Sequence, residues 1–138
     1  MSTHILHPEK DAFYFCTATC FNWMNLFEIT KLYDHIYDWF DILYQKNCFI
    51  NRYVIMPNHF HIILYQKINS ISLNKLFSNG KRFMAYEIVD RLEIMGNDSL
   101  LKFLEISVPP NEKIKKKKHQ VFISSFDARL CDSVEMIE

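Results

Sequence analysis

Tyr53-Val54-Ile55-Met56-Pro57-Asn58-His59-Phe60-His61-Ile62-Ile63-Leu64 joins two runs of β-branched and aromatic residues through a Pro-Asn corner. The pattern predicts strand, tight turn, strand. Side chains alternate along a strand, so His59 and His61 share one face while Phe60, Ile62 and Leu64 share the other. Two imidazoles on one face, next to a turn that opens the strand end to solvent, can fill two positions around a divalent cation. The plain alternative is a pair of surface-facing strand histidines with no ligand role.

The string Met56-Pro57-Asn58-His59-Phe60-His61, followed by an apolar run, resembles the histidine–hydrophobic–histidine motif of the REP-associated tyrosine transposases and their IS200-like insertion-sequence relatives. The resemblance runs from about Phe13 to the chain end. It implies a metal-dependent, single-tyrosine enzyme that nicks and rejoins single-stranded or hairpin DNA. In that chemistry His59 and His61 hold Mg²⁺ or Mn²⁺, which polarises the scissile phosphate.

Composition frames these expectations. A chain of 138 residues with 49% hydrophobic content is long enough for one domain, residues 1–138, with a real core. The formal net charge is zero, so a nucleic-acid-binding face must arise from local clustering. Cys16, Cys20, Cys48 and Cys131 form no close C-x-x-C pair, and no apolar span long enough to cross a membrane is present. These features predict reduced thiols in a cytoplasmic protein.

Along the chain, residues 1–11 hold His4, His7 and Pro8 without periodicity and read as a lead-in. Residues 12–20 alternate, with Phe13, Phe15, Thr17 and Thr19 on one face and Tyr14, Cys16, Ala18 and Cys20 on the other, predicting a first strand. Residues 22–27 resemble the connection into the first helix of those transposases. Thr30 is placed as the cap of a helix running to about Lys46, with Leu32, Ile36, Trp39, Phe40 and Leu43 as its core stripe. Asp34 and Asp38, one turn apart, read as a solvated face. Residues 48–56 and 59–66 are the second and third strands.

A second helix is predicted over residues 73–92, with Leu73, Leu76, Phe77, Gly80, Met84 and Ile88 in one arc. Gly80 there either lets the helix approach the sheet closely or marks a kink. Tyr86 lies on the opposite arc. A phenolate can attack a phosphodiester, which makes Tyr86 the candidate nucleophile, and Asp90 one turn on is the candidate third metal ligand. Geometry opposes Tyr86 as the nucleophile: if Phe60, Ile62 and Leu64 face the core, the helices cover that face and the histidines project from the other.

A short helix is expected over residues 99–105, capped by Asn97 or Asp98. Lys113, Lys115, Lys116, Lys117 and Lys118 follow in what reads as a loop; they are the one dense cationic patch of the chain and the candidate contacts to a DNA backbone. Residues 120–126 are the expected fourth strand, and residues 127–130 lead to a helix start where Asp132 and Glu135 fit a capping box. The resembling transposases continue such a helix into Tyr-Ile-His-x-Asn-Pro, whose tyrosine is the nucleophile. No residue here matches that pattern, so the resemblance implies a cleavage-deficient member with an incomplete last helix.

The expected fold is α+β: an antiparallel four-stranded sheet with helices packed mainly on one face, in a ferredoxin-like or RRM-like core. The strand order follows from the resemblance alone. Two other classes stay open. One is a non-enzymatic nucleic-acid-binding module whose aromatic strand residues stack bases. The other is an interaction protein completed by a second subunit, as in a homodimer.

Overall fold

The computed structural model describes residues 11–68, 71–124 and 127–131. The elements run β1 (Ala12–Thr19), a single 3-10 turn (Phe21–Trp23), α1 (Leu26–Thr30), α2 (Tyr33–Gln45), β2 (Cys48–Ile55), β3 (His59–Gln66), α3 (Leu73–Met95), α4 (Asp98–Ile106), α5 (Pro110–Ile114) and β4 (Asp127–Cys131). The four strands form one antiparallel sheet in the order β2-β3-β1-β4. Its βαββαβ connection is that of a ferredoxin-like core.

Among the described residues, helices cover one face of the sheet. Tyr14, Cys16 and Ala18 of β1, Phe60, Ile62 and Leu64 of β3 and Ala128 of β4 are buried together with Leu26 and Phe27 of α1, Ile36, Trp39 and Leu43 of α2, and Phe77, Met84 and Ile88 of α3. Trp39 joins the layers, with its ring 5.8 Å from Phe60 and 5.0 Å from Phe77. Each such fully buried large side chain contributes about 1.5–3 kcal/mol of transfer free energy. Removal of apolar area on this side alone therefore decides which way β3 faces, and the alternation then sends His59 and His61 outward.

Helix α3 follows its expected start. Ser72 caps it by accepting from the Lys75 amide at 3.3 Å, and Gly96, at φ +71°, ends it. Its end is a Schellman turn, with the amides of Gly96 and Asn97 donating to the carbonyls of Glu93 and Leu92. Gly80 marks close approach rather than a kink, because a Cβ there would collide with the Trp39 indole.

Four boundaries differ from the sequence expectations. Thr30 does not cap α2: its hydroxyl donates back to the Leu26 carbonyl at 2.7 Å and it closes α1, while Lys31 turns through the left-handed region before α2 starts at Tyr33. Arg91 of α3 occupies that corner instead, donating to the carbonyls of Thr30 and Lys31 at 3.1 and 2.8 Å and pairing with Asp34 and Glu87. The lysine run is partly helical, because Pro110 is pre-set for the first helical turn of α5. That helix ends in a second Schellman turn with Lys116 at φ 68°.

The fourth strand is also displaced. Residues 120–124 hold only an isolated bridge between Phe122 and Cys20, with the Ile123 amide donating to the Thr19 carbonyl at 2.9 Å. The regular ladder resumes at Asp127, opposite Thr17, two residues out of step with that bridge. Residues 127–131 are thus strand where a helix approach was expected: pairing with the open edge of β1 outweighs their local pattern. The lead-in with His4 and His7 and the capping box at Asp132 lie outside the described residues. No helix among the described residues is long and apolar enough to cross a membrane.

Candidate functional site

The Pro57-Asn58 corner is held from three sides. Met56 donates its amide to the His59 carbonyl at 2.8 Å, Cys20 donates to the Asn58 carbonyl at 2.8 Å, and the first amides of α1, Phe27 and Glu28, donate to the Pro57 carbonyl at 3.0 and 3.2 Å. The end of β1 and the start of α1 therefore clamp the turn that leads into the two histidines.

On the sheet face that no described helix covers, the imidazoles of His59 and His61 stand 4.9 Å apart, centroid to centroid, at 77°. Asn58 sets the first of them. Its Nδ2 donates to the Trp23 carbonyl at 3.2 Å, which leaves Oδ1 facing His59 Nδ1 at 2.7 Å. A carbonyl oxygen only accepts, so Nδ1 of His59 carries the proton and Nε2 presents its lone pair. Burial, and secondarily the charge of His61, hold His59 below the usual imidazole range, which keeps that lone pair available at neutral pH. His61 is placed from the neighbouring strand: Thr17, directly opposite in the ladder, brings its Oγ1 to 2.8 Å from Nδ1. Phe15 stacks on His61 at 5.4 Å and Trp23 meets His59 edge-on at 5.9 Å.

Metal-binding imidazoles are commonly fixed through the nitrogen that does not bind, and both rings have such a contact. The pair fits two positions of a divalent cation's donor set. Among the described residues no group of three or more His, Cys, Asp or Glu comes together, so Asp90 does not complete it. Asp90 and Tyr86 lie on α3, which packs on the Phe60 face, across the sheet from the imidazoles. Asp34, set aside as a ligand, is instead gripped by Arg91.

Tyr86 has a different neighbourhood. It is 71% exposed and lines a cavity of about 960 Å³ between α3 and residues 112–124, shared with Lys81, Arg82, Lys115, Lys116, Lys117 and Lys118. Lys113 lines a smaller hollow of about 440 Å³ beside it, with Lys117 and Lys118. Lys81 Nζ donates to the Ile123 carbonyl at 3.2 Å, and burial, assisted by the charge of Lys117, pushes its pKa down to about 8. Lys117 is itself paired with Glu112 at 3.1 Å. The structure thus gathers four of the five predicted lysines, the predicted tyrosine and two unpredicted cations, Lys81 and Arg82, in one concave surface whose lining includes neither His59 nor His61.

Asn58, Thr17 and Trp23 were also not read as site residues. The adjacency of Asn58 and His59 carried a signal for the first, but the other two depend on cross-strand register and on the path of the 3-10 turn.

The fold defines a class before any particular relative: a βαββαβ sheet with two histidines on the face that no described helix covers. No protein-family profile and no curated protein matches the chain. Among solved structures, that of a REP-associated tyrosine transposase bound to a REP hairpin matches with a TM-score of 0.60 at 13% identity, over 99% of this chain and 66% of that one. A putative transposase from Deinococcus radiodurans R1 matches at a TM-score of 0.46 and 12% identity, over 99% of this chain and 90% of that one. The first likeness establishes a shared fold, and this chain spans about two-thirds of that relative's length.

Proposed function

We propose that this protein is a transposase-like DNA-binding protein that takes single-stranded or hairpin DNA and seats a backbone phosphate at His59 and His61. The observation that carries the reading is the imidazole pair itself, with Asn58 orienting His59 so that its Nε2 lone pair is available. Mg²⁺ or Mn²⁺ bound there would supply electrostatic stabilisation of a phosphate oxygen. Two nitrogen donors alone hold a hard cation weakly, so DNA and metal are expected to bind cooperatively. The cavity of Lys81, Arg82 and Lys115–Lys118 serves as a separate anchor for the DNA backbone, with Tyr86 at its wall.

Binding without cleavage is the reading the tyrosines favour. Of the seven, Tyr65 is the one that shares the histidine face, four residues along β3 from His61 and therefore about 13 Å away at the usual strand rise. Its hydroxyl donates to Asp11 at 2.5 Å, and that bond holds its pKa above the usual phenol value, against formation of a nucleophilic phenolate. A labelled hairpin with single-stranded flanks, run on native gels in Mn²⁺ and in chelator and on denaturing gels for a covalent adduct, tests this. The expected result is a shift that weakens in chelator and in His59→Ala, with no adduct. No shift under either condition overturns the reading; an adduct overturns the cleavage-deficient part of it.

The cationic cavity supports a second reading, a nucleic-acid-binding module that needs no metal. Under it the shift is equal in chelator and in His59→Ala and is lost when Lys81 and Arg82 are replaced.

A further inference from the structure

We propose that Trp23 is a stacking platform for one unpaired nucleobase of the strand whose phosphate lies at His59 and His61. The inference rests on the DNA-binding reading above and assigns a base-contacting residue to it.

The two tryptophans of the chain are treated oppositely by the fold. Trp39 is 2% exposed at the centre of the core, whereas Trp23 is 60% exposed at the end of the sheet face that no described helix covers. Its backbone is held there against preference: Asn22 and Trp23 take φ values of 56° and 55°, two successive non-glycine residues in the left-handed region. The bonds that enforce this are on both sides of the turn. Trp23 donates its amide to the Cys20 carbonyl at 3.1 Å, Met24 donates to Phe21 at 3.2 Å, and Asn58 Nδ2 holds the Trp23 carbonyl at 3.2 Å. Strain of this kind persists where the surroundings over-determine it, and it concentrates at ligand-binding positions.

Asn58 ties the two functions together. The same side-chain amide that fixes the His59 tautomer also fixes the Trp23 backbone carbonyl, and the indole stands edge-on to that imidazole at 5.9 Å. The rings meet at 68°, so the imidazole does not cover the indole face to face. Beyond the histidines, Phe15 lies flat against His61 at 23°, and the strip Trp23–His59–His61–Phe15 is aromatic along its length. A flat, neutral, aromatic ligand that also carries a phosphate matches an exposed indole beside a cation-competent imidazole pair. An unpaired nucleotide has that chemistry, and base–indole stacking is tolerant of sequence.

The buried state of Trp39 leaves Trp23 as the fluorophore that solvent and ligand can reach. The test titrates the full chain, in Mg²⁺, with a short oligothymidylate and with an abasic strand of equal length, following tryptophan emission and the anisotropy of a dye on the DNA. Wild-type emission is expected to be quenched by the oligothymidylate and not by the abasic strand, which should bind about tenfold or more weaker, in the range of one stacked base. Trp23→Ala should lose the quench and bind the oligothymidylate about tenfold or more weaker, with base removal now mattering less than in wild type. Trp23→Phe should recover part of the affinity.

Unchanged affinity of Trp23→Ala for the oligothymidylate overturns the stacking assignment and leaves DNA binding standing. Absence of any anisotropy change with wild-type protein overturns both. A quench produced by concentrating the protein alone assigns the indole to contact between copies of this chain and overturns the proposal.

Discussion

Thr17 Oγ1 lies 2.8 Å from His61 Nδ1, between residues directly opposed in the β1–β3 ladder. When His61 binds a cation through Nε2, Nδ1 carries the proton and the threonine hydroxyl accepts it. Asn58 plays the same part for His59, with a carbonyl oxygen that has no other role available. Loss of such a support commonly lowers metal affinity by about 10- to 100-fold. Asn58→Ala is therefore expected to weaken Mn²⁺ binding about tenfold by calorimetry, and Thr17→Val to weaken it as well, with unchanged thermal unfolding of the metal-free protein for Thr17→Val. Equal Mn²⁺ affinity in all three proteins would remove the supporting role of both residues.

Gly80 sets the distance between α3 and α2. An alanine would favour the helix by about 1 kcal/mol, yet its Cβ would enter the Trp39 indole, a rigid side chain itself packed against Phe60 and Phe77. Overpacking of a filled core costs roughly 1–3 kcal/mol and more when backbone must shift. Gly80→Ala should lower the Tm by several degrees, and the loss should shrink in a Trp39→Phe background. A rise in Tm would mean that the helices separate at little cost.

Lys81 predicts a pH dependence. Its pKa is about 8 in the fold against an ordinary 10.5, because burial and the neighbouring Lys117 disfavour the charge. Between these values the unfolded chain binds the proton and the folded one does not, so this group's unfavourable contribution is complete below about pH 8 and is relieved as pH rises toward 10.5. Lys81→Met should raise stability to denaturant at pH 7, with the gain shrinking through that window, while weakening DNA binding. A gain that does not vary with pH would contradict the burial of the charge.

The thiols should separate by reactivity. Cys16, Cys20 and Cys48 are buried and Cys131 is half-buried on β4. Burial pushes the Cys20 thiol up to about 12, so its thiolate is scarce at neutral pH. A thiol reagent at pH 8 should modify Cys131 first, and Cys20 should react only after denaturant is added. Rapid native labelling of Cys20, read by mass spectrometry, would show that the end of β1 opens.

Much of this organisation was legible because it is local. Alternation marked β1 and β3, and the stripe of Leu73, Leu76, Phe77, Met84 and Ile88 marked α3. The errors fall where local preference lost to pairing or to a distant side chain. Thr30 has the chemistry of a cap, but Arg91, sixty-one residues on, takes its carbonyl and the corner belongs to α1. Residues 127–131 become strand because β1 offers an unpaired edge. Tyr86 and the lysines were each singled out, but their shared cavity arises only when residues 112–124 fold back on α3.

The sequence by itself determined that His59 and His61 share a face opposite Phe60 and Ile62, because a strand's period of two admits nothing else once the apolar set is buried. It likewise determined that helices cover the Phe60 side. Only the tertiary structure decided that Thr17 holds His61, that Asn58 also ties down Trp23 beside His59, and that Lys81 is held against residue 123 next to the lysine run. Those relationships connect residues 35 to 44 positions apart in the chain, where strand register, a strained turn and close packing of α3 set distances that no local pattern encodes.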